Sequence, residues 1–184
     1  MFEAAREVHG ADAASVAWSR PGGWQTLRVE DGVLDDVDRA MAGLVEWTGS
    51  VVCVASVYAG DVALVKGLAP GGERWAACLN LELAAALWTP VPDSVDDTSL
   101  WVETPEFTEA VGRTRAELDA EVPGSARDAL IWARAAGFGR AVEVDAIEEA
   151  LRARRVFVEE LLDAVLDRLG FPQEPDPEAD GTSG

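Results

Sequence analysis

The sequence predicts an α+β protein: a small antiparallel or mixed sheet at about residues 51–79 packed against helices, then a helical C-terminal half and a disordered acidic tail. Three observations predict this class. β-Branched and apolar residues crowd 51–79 into strand-length runs, separated by Gly60-Asp61 and Pro70-Gly71-Gly72. After Thr104 the apolar residues recur at helical spacing instead. Strict alternation of strand and helix is missing, which argues against a doubly wound parallel sheet.

Taken in order, Phe2 to Val8 suit a short helix, and the stretch after it up to residue 20 follows no clear period. Pro21-Gly22-Gly23 is a turn, and Trp24 to Val29 suit a strand. From Val33 or Leu34 to Trp47 or Thr48 the apolar spacing is helical. Asp35, Asp36 and Asp38 lie at the favourable end of its dipole, and Gly49 is placed to end it. Val51 to Tyr58 are almost continuously apolar, the character of a central strand covered on both faces. Val62 to Leu68 and Arg74 to Leu79 are strands paired across the Pro70-Gly71-Gly72 turn.

Leu81 to Trp88 form a short helix with Asn80 as its N-cap, stopped by Pro90 and Pro92, and Val91 to Thr104 read as a loop. Thr104-Pro105 is a cap followed by proline at the first helical position, and Pro123-Gly124 ends that helix. Ser125 with Asp128 has capping-box spacing and leads into Ala126 to Ala136, closed by Gly137. Asp145 with Glu148 repeats the offset before a long apolar stripe running to Leu169, with a break allowed near Arg154-Arg155. Gly170 and Pro172 end the last helix. The expected organisation is one α+β domain over 1–171, in which 105–171 can form a helical subdomain, and a disordered tail over 172–184.

The chain of 184 residues carries 34 acidic and 15 basic side chains, a net charge of −19. That charge argues against nucleic acid as a partner and against an anionic membrane surface. No apolar run reaches a membrane span, and no secretory signal is visible at the N-terminus, so a soluble cytoplasmic protein is expected. The hydrophobic fraction of 48% is that of a chain able to build a core. One lysine, Lys66, stands against 14 arginines in an alanine-rich chain, a composition like that of a high-GC bacterium. Most of the charge belongs to the folded part, because removing 172–184 takes away only four acids and leaves −15.

Motifs for catalysis, metals and cofactors are largely excluded by inventory. His9 is the single histidine, so two-histidine metal helices cannot form within the chain, and no GxSxG elbow accompanies it. Cys53 and Cys78 form no CxxC, and a buried free thiol is the expectation for Cys53. Gly137-Phe138-Gly139 lacks the third glycine of a dinucleotide loop and reads as a helix end. No cofactor is expected. Asp35 and Asp38 can share a helix face and serve a hard cation with waters, but capping and solvation explain them better.

One regional pattern stands out. From Trp75 to Gly112 there is no Arg or Lys, while Glu82, Asp93, Asp96, Asp97, Glu103, Glu106 and Glu109 give seven negative charges. Trp75, Trp88, Trp101 and Phe107 are interleaved with them. Acids that steer and aromatics that anchor are the ingredients of a docking face for a basic protein. The expected contact residues are Trp88, Asp93, Asp96, Asp97 and Trp101. The function this implies is a non-catalytic interaction module, of the immunity, antitoxin-like or inhibitor kind, for a basic protein partner. The alternative is a small carboxylate-rich enzyme or ligand binder using a divalent metal.

Overall fold

A computed structural model describes residues 14–29, 36–92, 98–139 and 141–171. Strands β1 (Ala14–Arg20) and β2 (Trp24–Val29) form an antiparallel hairpin. Helix α1 (Val37–Thr48) leads into β3 (Val52–Tyr58), β4 (Val62–Leu68) and β5 (Arg74–Leu79), a three-stranded antiparallel sheet in the order β3-β4-β5. The helices α2 (Leu81–Trp88), α3 (Thr98–Trp101), α4 (Pro105–Ala135), α5 (Val144–Arg152) and α6 (Val158–Leu169) complete the α+β fold. The first helix expected, Phe2 to Val8, and the tail over 172–184 lie outside the described residues.

Register decides which side chains meet. Cys53, Gly67 and Trp75 align across the sheet, as do Ala55, Val65 and Ala77, and Val57, Ala63 and Leu79. Because strand side chains alternate, these nine share one face. That face meets α4, α5 and α6 in a core containing Val122, Ala126 and Ala133, then Ile147 and Leu151, then Leu161, Val165 and Leu169. The opposite face carries Lys66 and Arg74, which reach Asp38 on α1.

Two glycines in the core have steric reasons to be there. A Cβ on Gly67 would lie 1.9 Å from Trp75 Nε1, so the cross-strand indole occupies the space a side chain would need. Gly170 has φ +98°, and its backbone passes Phe138 so closely that a Cβ would sit 3.1 Å from the Phe138 Cβ. Its turn uses the hydrogen bonds Phe171 N to Leu166 O and Gly170 N to Asp167 O. Gly137 ends α4 in the same way, through Phe138 N to Ala133 O and Gly137 N to Arg134 O. Both are Schellman-type ends, in which the left-handed glycine lets the chain satisfy orphan helix carbonyls.

These two turns deliver aromatic rings to one place. Phe138 and Phe171 lie 4.5 Å apart, Trp24 lies 5.2 Å from Phe171, and Trp132 lies 5.2 Å from Phe171 and 5.7 Å from Trp75. The hairpin is held there by Arg20, which is only 3% exposed. Its guanidinium donates to the Phe171 carbonyl and to Asp163, and Nε donates to Thr26 Oγ1 at 2.9 Å. Asp167 lies 3.5 Å away. A buried cation is tolerable only with such partners.

Several expectations are corrected. The strand at 52–58 is real but sits at an edge of its sheet, not at the centre. Two successive hairpins lay strands down in chain order, which leaves the middle one, β4, enclosed. Residues 14–20, which follow no clear period, form β1, because pairing with β2 supplies their hydrogen bonds. The loop expected over 91–104 contains the short helix α3. Pro123-Gly124 does not end a helix and Ser125 does not start one, because α4 runs through all three. Leu118, Val122, Ala126, Ala129 and Ala133 form one packed stripe on both sides of the proline, and its burial outweighs the missing N–H.

Asn80 occupies the N-cap position of α2 but makes no cap bond; its Nδ2 donates to Asp61 O at 2.7 Å and Arg155 O at 3.2 Å. Glu143, not Asp145, stands at the N-cap of α5, and Asp145 lies in the first turn. The stripe running to Leu169 does break, at 153–157, into α5 and α6. Asp36, by contrast, caps α1 through Arg39 N at 3.0 Å, and Thr104 caps α4 through Phe107 N at 3.1 Å.

Two substitutions test this packing. Gly67→Ala forces Trp75 out of its site and is expected to cost about 3 kcal/mol, as overpacking does; an unchanged denaturant midpoint contradicts it. Pro123→Ala restores a helical N–H and is expected to raise stability by about 1–3 kcal/mol; a lower midpoint would show that the ring itself is needed for packing.

Candidate functional site

The basic-free segment begins on β5, runs through α2 and α3, and ends on the first turns of α4. Helix α2 buries Leu81, Ala84 and Ala85, so Leu87 falls on its outer side. Trp88, its last residue, is half-buried and meets Tyr58 edge-on with ring centroids 6.3 Å apart. Thr89 then ties the helix end to α4: its Oγ1 donates to Ala85 O at 2.6 Å and lies 3.2 Å from Thr114 Oγ1. Asp93, Asp96 and Asp97 lie outside the described residues. Trp101, at the end of α3, is half-buried with its ring 5.8 Å from Phe107, and its Nε1 is buried with no partner among the described residues.

Of the expected contact residues, the structure therefore places both indoles against aromatic neighbours within the chain. Among the described residues of the segment the most exposed large apolar side chains are aliphatic. Leu87, Val91, Leu100 and Val102 are exposed, Leu100 at 64%. Glu103, Glu106 and Glu109 are exposed beside them in sequence. The sequence expectation rests on loops exposing their side chains and on aromatics as anchors, and it does not include these four aliphatic residues. The signal for Leu87 was present, because it lies off the stripe of Leu81, Ala84, Ala85 and Trp88.

The other candidate groups take structural roles. Asp38 accepts from Lys66 Nζ at 2.9 Å and from Arg74 Nη1 at 3.3 Å, and the lysine beside it holds its carboxyl below the usual range. Its expected metal partner Asp35 lies outside the described residues, as does His9. Among the described residues no three His, Cys, Asp or Glu side chains gather as a metal site. Gly139 is positioned by packing, since a Cβ there would meet Leu130 Cδ1 at 2.9 Å.

Cys53 and Cys78 lie on β3 and β5, with β4 between them, so they cannot pair across one ladder. Both are free, and burial pushes each thiol up to about 12. For Cys53 the nearby Arg20 opposes that shift; for Cys78 Glu121 adds to it and Arg115 opposes it. The space beside Cys78, lined in part by Leu118, Glu121 and Val122, is about 10 Å³, less than a substrate needs.

Elsewhere on the surface, Asp119 joins Arg115 at 3.3 Å and Arg152 at 2.9 Å, and Arg152 also holds Glu148 at 2.7 Å. These bridges fasten α5 to α4, and the Arg152 hydrogen bond keeps the Asp119 carboxyl below its usual range. No helix among the described residues is long and apolar enough to cross a membrane. Compared with known proteins, the chain matches no family model, no curated protein and no solved structure.

A raised thiol pKa means that almost no thiolate is present near neutrality. Both cysteines are therefore expected to resist a disulfide reagent at pH 8 in the folded protein and to react promptly once it is unfolded. Stoichiometric reaction of the folded protein within the mixing time contradicts this.

Proposed function

We propose that this chain is a non-catalytic interaction module that docks a basic protein through residues 87–109, in the manner of an immunity, antitoxin-like or inhibitor protein. One observation supports the reading above others. In a segment without Arg or Lys, Leu87, Val91, Leu100 and Val102 face solvent in the company of Glu103, Glu106 and Glu109. Exposed aliphatics supply area that gains by leaving water, and carboxylates around them favour a cationic partner and disfavour an acidic one. The indoles act here as supports: Trp88 leans on Tyr58 and Trp101 on Phe107. Thr89 fixes the end of α2 against α4 beneath them, so part of this face is ordered before a partner arrives.

Division of labour follows from position. The glutamates govern the encounter rate and its salt dependence, whereas the aliphatics govern the lifetime of the complex. The test is capture from a lysate of the native organism with wild type and two variants, Leu100→Ser/Val102→Ser and Glu103→Gln/Glu106→Gln/Glu109→Gln. The expected result is one basic protein held by wild type, lost by the aliphatic variant, and held by the glutamine variant with a much weaker salt dependence. Equal capture by all three, or capture of no basic protein, overturns the reading.

A further inference from the structure

A second surface lies at the corner where the β3–β4 turn meets the connection between α5 and α6. Val156 and Phe157 are 75% and 61% exposed there. They line a groove with Leu83, Asp61, Arg154, Arg155 and Glu160. The connection is pinned in place: Val158 N donates to Gly60 O at 3.2 Å, and the buried Asn80 amide bonds both Asp61 O and Arg155 O. Asn80 holds a left-handed backbone, φ 63°, to do this. The exposed aromatic is thus presented on a fixed platform.

Phe157 also breaks a local rule. It stands at the N-cap of α6 and makes no cap bond, at a position where Ser, Thr, Asp or Asn would satisfy an orphan amide. It serves neither the helix nor the core, and such inconsistencies concentrate at functional positions. Around it the charges are of both signs. Among the described residues Arg155 has no carboxylate partner, and neither Asp61 nor Glu160 has a cation.

We propose that this corner is a homodimer interface. The patch carries its own complement, Val156 and Phe157 beside Leu83 and arginines beside the carboxylates of Asp61 and Glu160, which is what a two-fold contact requires. Phe157 of each copy enters the groove of the other, and Arg155 of each faces Asp61 and Glu160 of the other. A uniformly basic or acidic partner would leave one of these signs opposed by a like charge. Each copy brings a net charge of −19, so long-range repulsion opposes assembly and salt relieves it. This proposal is tested apart from the basic partner, because it is read on purified protein.

The experiment is sedimentation equilibrium of the full chain from low micromolar to submillimolar concentration, at low and physiological ionic strength. A mass twice the 19.6 kDa of the chain is expected at the upper end, with more dimer at the higher salt. Phe157→Ser should weaken dimerisation by about tenfold or more, as loss of a central anchor does. The same change supplies a favoured N-cap, so its thermal midpoint should hold or rise, which separates loss of contact from loss of fold. Arg155→Glu and Glu160→Arg should each weaken self-association, and mixing the two variants should restore a heterodimer. A strictly monomeric chain, a Phe157→Ser variant that dimerises like wild type, or a mixture that stays monomeric overturns the proposal.

Discussion

Trp132 lies where the long helix, the sheet and the turn after the last helix meet, and the packing of several elements depends on that meeting. Its indole N–H is shared between the carbonyls of Val52 at 3.2 Å and Leu68 at 3.3 Å, one at the start of β3 and one at the end of β4. Its ring packs on Trp75 and Phe171. A buried indole is stabilising when the ring finds dense packing and the N–H finds an acceptor, and both conditions hold here. The requirement then spreads outward. Trp75 reaches Trp132 only because Gly67 leaves room, and Phe171 reaches it only because Gly170 turns the chain back. Phe171 in turn offers its carbonyl to Arg20, which brings the β1–β2 hairpin onto the same cluster.

The same economy explains the distribution of charge. Five cations are committed to structure: Arg20 under the hairpin, Lys66 and Arg74 on Asp38, Arg115 and Arg152 on Asp119. The stretch from Trp75 to Gly112 contains carboxylates and no Arg or Lys of its own, and among its described carboxylates Glu82 lies 3.5 Å from Arg154. That contact marks the border between two surfaces. On one side acids accompany exposed aliphatics, and on the other a pinned connection displays Phe157 between charges of both signs.

Much of the fold was legible in the sequence where local chemistry acts alone. Thr104-Pro105, Gly49, Gly137 and Gly170 mark helix ends through backbone geometry that neighbours do not alter, whereas the spacing that begins at Val33 or Leu34 does not show that Asp36 caps α1. The strands at 52–58, 62–68 and 74–79 followed from β-branched runs and intervening turns. What was misread depends on distant partners. Pro123 looks like a stop unless the alanines beyond it are known to pack, and Asn80 looks like a cap unless Asp61 and Arg155 are known to lie beside it. The candidate face was legible as a stretch without basic residues. Of its exposed members only Leu87 was legible, because it lies off the apolar stripe of α2; Leu100 and Val102 belong to and follow a short helix that the local sequence does not announce.

The sequence by itself determined the α+β class, the net charge of −19, the exclusion of multi-histidine chemistry and most helix ends, since each depends on inventory or on a few adjacent residues. Only the tertiary structure decided that β3 is an edge, that one helix runs from Pro105 to Ala135, and that Asn80 fastens two loops. It also decided that Leu87, Val91, Leu100 and Val102 are exposed in the acidic segment, while Trp88 and Trp101 are half-buried against Tyr58 and Phe107. These outcomes turn on burial and on hydrogen bonds between residues far apart in the chain, and neither quantity has a local signature.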